Sequence, residues 1–179
     1  HYLNVNEDGL IDDNDRVAIG PSNTPEIIYG IRGGIEYKDF DFSFLFQGAA
    51  RVKQYYSGEA AWPFFLGTSN ANEKNLDRWT PENTDASEPR VLIDATNNHR
   101  GSSFWLRDAS YLRLKNIEIG YNLPVGNENS FLRGMRIYIN ANNVATWTKI
   151  EDYDPENSNG RGWGYPQLRI WNVGLNMNF

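Results

Sequence analysis

Residues 171–179 alternate without a break. Trp171, Val173, Leu175, Met177 and Phe179 fall on one side, and Asn172, Gly174, Asn176 and Asn178 on the other. A period of two is an extended strand with one apolar and one polar face. A sandwich strand in a soluble protein carries the same pattern. Its aromatic last residue is harder to place there, because soluble termini are usually polar and frayed. In a membrane barrel the last strand must pair with the first so that no edge meets lipid, and its end is ordered. The expectation is a transmembrane β-barrel with Phe179 at the periplasmic interface, where it fixes the register of the last strand.

Four more segments alternate. In Ile27–Tyr37, Ile27, Tyr29, Ile31, Ile35 and Tyr37 oppose Gly30, Arg32, Gly34 and Glu36. In Phe40–Gly48, Phe40, Phe42, Phe44 and Phe46 oppose Asp41, Ser43 and Gln47, with Leu45 as the one misplaced apolar residue. In Tyr111–Leu123, Ile117, Ile119, Tyr121 and Leu123 oppose Glu118, Gly120 and Asn122. Leu112-Arg113-Leu114-Lys115 has the opposite phase, which predicts a bulge near Asn116 or a stretch above the membrane. In Met135–Trp147, Met135, Ile137, Ile139 and Ala141 oppose Arg136, Tyr138, Asn140 and Asn142. Strands of about ten to thirteen residues suffice to cross a bilayer on a tilt. Aromatics near the strand ends (Tyr29, Tyr37, Phe40, Tyr121, Trp147, Trp171, Phe179) sit where interfacial girdles are expected.

The composition agrees. Aromatics make up 14% of the 179 residues, yet mean hydropathy is −0.63. Such a balance follows when only every second strand residue faces lipid and the loops are polar. No stretch approaches the ~20 consecutive apolar residues of a membrane helix. A net charge of −6 argues against nucleic acid as a partner. The absence of cysteine excludes disulfide scaffolds and thiolate metal sites. With no signal peptide and no initiator Met, the chain reads as a fragment.

Connection lengths alternate too. Lys38-Asp39 is a tight hairpin, Ala49–Ser110 is very long, Pro124–Gly134 is shorter, and Thr148–Pro166 is longer again. Short periplasmic turns and long extracellular loops are the outer-membrane arrangement, and the parity is consistent with it. Five strands are fewer than the roughly eight of the smallest membrane barrels, so the rest of the wall is expected to lie before residue 1 or in other chains.

Asn4–Asp15 fits a twelve-residue calcium loop. Asn4, Asn6 and Asp8 stand at positions one, three and five, Gly9 at the sharp turn, Leu10 where a backbone carbonyl is used, Asp12 at nine and Asp15 at twelve. Position one is Asn rather than Asp, and Asp15 is shorter than the usual bidentate Glu. No amphipathic helices flank the loop. Two readings stand: a modest-affinity calcium site that orders the loop, or an Asx-rich turn without metal.

Several stretches together resemble the end of the SusC/RagA-type TonB-dependent outer-membrane transporters. They are Asn6–Arg16, Thr24–Gly30, Phe40–Gly48, Arg78–Asn83, Ser110–Pro124 and Ala141–Trp147. The resemblance runs almost the whole chain in order. It implies an all-β antiparallel meander, the last five strands of a plugged barrel of about 22 strands. Residues 1–26 would then be an extracellular loop with the calcium-like motif, and 27–179 barrel strands with their loops. It also implies an outer-membrane importer of glycans or peptides, a SusD-like surface lipoprotein as partner, and TonB contacts made by parts absent here.

No nucleophile–base pattern or phosphate loop stands out, so no catalysis is expected. Gly30-Ile-Arg-Gly33-Gly34 is a strand feature, because no helix follows. The aromatics of loop 49–110 either form that loop's own small core or stack on ligand and partner. Tyr55, Tyr56 and Trp62 are the better contact candidates there, and Trp163 and Tyr165 in the later Gly-rich loop. Asn70–Trp79 reads as a short helix capped by Asn70 or Asn72, with Trp79 on its buried side. Arg32, Glu36, Asp41, Gln47, Glu118, Arg136, Tyr138, Asn140 and Asn142 are the expected lumen-facing set, bonded to a plug, lining a hydrated path, or simply solvated. The alternative function is a calcium-stabilised extracellular glycan-binding β module. A dockerin would carry the acidic loop twice, and only one copy is present.

Overall fold

The computed structural model describes residues 2–67, 69–93, 97–124, 131–157 and 159–179. The middle of the connection 124–134, read from sequence as a shorter turn, lies outside the described residues. In chain order the strands are β1 (Ile27–Tyr37), β2 (Phe40–Ala50), β3 (Lys53–Tyr55), β4 (Leu106–Asp108), β5 (Tyr111–Leu123), β6 (Gly134–Thr148) and β7 (Ile170–Asn178). No described helix is long and apolar enough to cross a membrane.

The chain divides into two compact units. One comprises 25–52, 108–157 and 165–179 and holds a five-stranded antiparallel sheet in the order β1-β2-β5-β6-β7. Lys38 and Asp39 close the hairpin beyond the Tyr37↔Phe40 pair, with Lys38 in the left-handed region at φ 55°. The alternation of the sequence becomes cross-strand rows. Ile35, Phe42, Ile119, Ile139 and Val173 form one apolar row, and Tyr37, Phe40, Tyr121, Ile137 and Leu175 another. Between them on the opposite face run Glu36, Asp41, Gly120, Tyr138 and Gly174. The apolar rows stay open: Val173 is 76% exposed although it lies in mid-strand.

The phase change in β5 is a bulge. β2 pairs Leu45 with Asn116 but Phe46 with Leu114, which leaves Lys115 extra. Opposite it, β6 passes from Asn142 to Ala145, with Asn143 left-handed at φ 52°. Beyond the bulge Leu114 joins Phe46 and Ala145 on the apolar face, and Arg113 joins Gln47 and Thr146 on the polar one.

The other unit comprises 1–24, 53–107 and 158–164. Strands β3 and β4 pair, and among the described residues five short 3-10 turns (Asp13–Asp15, Gly58–Ala60, Phe65–Gly67, Glu73–Asp77, Ser103–Trp105) carry much of the rest. Its core is aromatic. Trp105 is 3% exposed and donates from its indole N–H to the Asn98 carbonyl, and Trp62 stacks on His99 with ring centroids 4.5 Å apart. Two expectations are corrected here. The helix of 70–79 is only the turn Glu73–Asp77, capped by Asn72, and it buries Asn75 while Trp79 stays exposed. Asn75 caps back onto the Asn72 amide, and this local bonding replaces an amphipathic helix.

Candidate functional site

On the polar face of the sheet Asp41, Glu118 and Arg136 join one hydrogen-bonded chain. Arg136 on β6 reaches over β5 to Asp41 on β2, donating from Nε at 2.8 Å and from Nη2. The crossing is open because Gly120 lies beneath it, where any side chain would collide with the guanidinium. The same Nη2 donates to Glu118 at 2.8 Å, Glu118 accepts from Asn140 at 3.2 Å, and Asn140 accepts from Asn172 at 2.9 Å. Four strands are thereby tied through side chains alone. Tyr138 lies under the Arg136 guanidinium, 5.0 Å from it, and covers Gly174 of β7. Asn142 accepts from Asn116 at 3.2 Å. Five of the nine expected lumen residues are therefore bonded or stacked together, and a sixth, Asn142, is paired with Asn116 apart from them. Arg32, Glu36 and Gln47 share the face but, among the described residues, stand outside this chain.

A second cluster has no sequence signal. Arg113 Nη2 donates to Asp154 at 2.8 Å, Lys115 donates to both Glu156 oxygens at 3.1 and 3.2 Å, and the Tyr111 hydroxyl donates to Glu156 at 2.9 Å. The partners are about 40 residues apart in sequence, beyond any periodicity. Burial pushes the Asp154 carboxyl up. Hydrogen bonds from Arg113 and from the Glu156 and Gln167 amides outweigh that and hold it below its ordinary value of 3.8.

The expected contact residues separate. Tyr56 is 4% exposed, and Trp62 is held between His99 and Phe65. Tyr56 belongs to the core of its unit, which corrects its reading as a contact residue, while Trp62 is half-buried: a large loop must bury its own aromatics to be ordered. Tyr55, Trp163 and Tyr165 remain exposed. Trp163 is held in place: the Arg161 guanidinium lies 4.3 Å from its ring centre and is anchored by Glu59 at 3.1 and 3.2 Å.

The acidic loop is folded by its own side chains. Asp15 accepts from the Asp12 amide at 2.8 Å and the Val5 amide at 2.6 Å, and these bonds, that from Asp12 first, hold its carboxyl below the ordinary range. Asp8 accepts from the Leu10 amide and Asp12 from the Asn14 amide, both at 2.8 Å. Among the described residues no three acidic or histidine side chains gather round one point. The donor set is nonetheless all hard oxygen, and Asn4 Oδ1 is buried with no hydrogen-bond partner. An oxygen so placed suits a hard cation, and carboxylates can accept amide bonds while ligating.

No family model matches the chain. It is 31% identical to "TonB-dependent receptor P26" of Formosa agariphila, over 99% of its own length and 19% of the relative's. It is 24% identical to "TonB-dependent receptor SusC" of Bacteroides thetaiotaomicron, over 99% of its length and 17% of that protein's. In fold it resembles a chain of the RagAB peptide transporter at TM-score 0.78, with 24% identity, covering 95% of this chain and 19% of that one. It thus spans about a fifth of the curated relatives it matches. These relatives are receptors and transporters, not enzymes.

Proposed function

The chain is a segment of a TonB-dependent receptor of the SusC/RagA type, and from that premise we propose that it builds five adjacent strands of an outer-membrane transport barrel. The apolar rows meet lipid and the polar face lines the lumen. The outer edges of β1 and β7 pair with strands outside this chain, since unpaired edges are not tolerated in hydrocarbon. A wall of about 22 strands is the size the reading takes for the parent. That parent imports glycans or peptides under a SusD-like lipoprotein, and TonB acts through parts outside this chain. Arg32, Glu36 and Gln47 face those parts or the hydrated path. Tyr55, Trp163 and Tyr165 contact ligand or lipoprotein on the extracellular side. Asn4–Asp15 binds one calcium ion through Asn4, Asn6, Asp8, the Leu10 carbonyl, Asp12 and Asp15, and the ion's task is to order the loop.

One observation carries the reading: residues directly opposite one another on neighbouring strands match in polarity, from Ile35 through Phe42, Ile119 and Ile139 to Val173. A soluble sheet exposes one polar face to water. Here the apolar face is open as well, with Ile35 65% and Val173 76% exposed. The test is cysteine substitution in the full-length receptor in cells, at Asn172 and Val173, with a membrane-impermeant and a lipid-soluble maleimide. Asn172→Cys is expected to react with the aqueous reagent and Val173→Cys with the lipid-soluble one. The reverse pattern overturns the assignment. Uptake of labelled oligosaccharides against labelled oligopeptides by the same cells separates the two substrate classes.

A further inference from the structure

Beyond β6 the chain folds back onto its own sheet. Thr148 donates to the Ser110 carbonyl at 3.0 Å, and Ile150 is 6% exposed. Asp154 and Glu156 then return to the polar face of β5, where Arg113, Lys115 and Tyr111 receive them. The Arg113 side chain is 2% exposed, against 10% for Asp154 and 18% for Glu156. Arg113 and the two carboxylates are thus withdrawn from water together, with Lys115, 29% exposed, at their edge. Neighbouring Lys149 and Asp108 form an ion pair of another kind, 81% and 41% exposed.

We infer that the segment 149–157 is a fixed shelf on the lumen wall at the extracellular end of the barrel, and that Arg113 is the residue that positions it. This rests on the polar face being the lumen face, as proposed above. The bulge is what makes it possible. Ile117, Ile119 and Tyr121 lie on the apolar face, and in an unbulged strand of the same sequence strict alternation would put Lys115 and Arg113 there too. The bulge turns Arg113 inward and sends Leu114 to the apolar side. It also aims Lys115 at Glu156. Asp154 is tied on three sides: it accepts from Arg113, from the Glu156 amide at 2.9 Å and from the Gln167 amide at 3.2 Å. A carboxylate so enclosed is held only while its cation is present, because an uncompensated buried charge is expelled to water. The shelf is therefore part of the wall that a solute passes, and removing its cation frees it to swing clear.

The experiment is hydrogen exchange on the purified full-length receptor in lipid nanodiscs, comparing the unaltered protein with Arg113→Met, Asp154→Asn and Lys149→Met. Arg113→Met and Asp154→Asn are expected to speed exchange of the Glu156 and Asn157 amides by roughly a hundredfold or more. Amides of β6 and β7 keep their protection and report an intact sheet. Asp154→Asn acts from the loop side, so it serves if Arg113→Met does not assemble. Lys149→Met is expected to leave the shelf unchanged, since an exposed pair contributes little. Unchanged exchange in both Arg113→Met and Asp154→Asn overturns the inference, as does equal loosening by Lys149→Met. If Val173→Cys rather than Asn172→Cys reacts with the aqueous maleimide, the face assignment fails even where Arg113 still holds the segment.

Discussion

A charge placed on β7 reads out the two faces directly. The apolar side of this strand runs from Trp171 to Phe179, and at about 2.6 Å of height per residue on a ~40° tilt that span is roughly 21 Å, close to the ~25 Å apolar band of an outer-membrane barrel. Leu175 stands at its midpoint and Val173 about 5 Å away. Leu175 pairs with Ile137, in the row that continues to Tyr121, Phe40 and Tyr37, so an arginine there has no carboxylate in its row to pair with. Leu175→Arg is therefore expected to cost about 2–4 kcal/mol. Asn172→Arg puts the same charge on the polar face. It loses the bond to Asn140, a change of about 0.5–1.5 kcal/mol. Trp171→Arg lies nearer the interface and should fall between the two in cost. The assay is guanidinium titration of the full-length receptor in lipid vesicles, together with the amount of heat-modifiable receptor in the outer membrane. Equal losses for Leu175→Arg and Asn172→Arg would refute the argument, because no lipid-facing side would then exist.

Gly174→Val is expected to destabilise by about 1–3 kcal/mol, since the new side chain displaces the Tyr138 ring that covers Gly174; the same titration checks it. Asp77 accepts from the Ser87 amide at 3.0 Å and from Asn83 at 3.0 Å, and these bonds, the Ser87 backbone bond first, hold its carboxyl below the ordinary 3.8. A lowered folded pKa gives stability that is complete above 3.8 and lost as pH falls through the lowered value. Exchange protection of the Ser87 amide, corrected for intrinsic rate, should accordingly hold from pH 7 to about pH 4 and fall only in stronger acid. Calorimetric titration with calcium should show uptake by the intact receptor that the double change Asp8→Ala plus Asp12→Ala removes; equal uptake by both proteins would rule the loop out.

The strands were legible because their information is local. A period of two in Ile27–Tyr37, Phe40–Gly48 and Trp171–Phe179 needs no partner to be read, and it set both the faces and the elements to within a residue or two. Even the bulge at Lys115 announced itself, as a reversal of phase between Leu114 and Ile117. The polar set Asp41, Glu118, Arg136, Tyr138, Asn140 and Asn142 was identified for the same reason. Its wiring was not. That Arg136 should reach past β5 to Asp41 depends on register between non-adjacent strands and on the space above Gly120.

The long loop shows the limit most clearly. Tyr55, Tyr56 and Trp62 are similar in type and close in sequence, yet Tyr55 is exposed, Tyr56 is buried and Trp62 is half-buried against His99. No periodicity separates them, because short 3-10 turns and irregular backbone do not hold side chains at a fixed angle from one residue to the next. Arg113 is the sharper case. Its sequence phase shows that it leaves the apolar face, but Asp154 and Glu156 arrive from a loop some 40 residues later. Alternation along the chain thus determined which side each strand residue takes. Only the folded chain decided which charges meet, because burial and ion pairing depend on distances through space that the sequence does not carry.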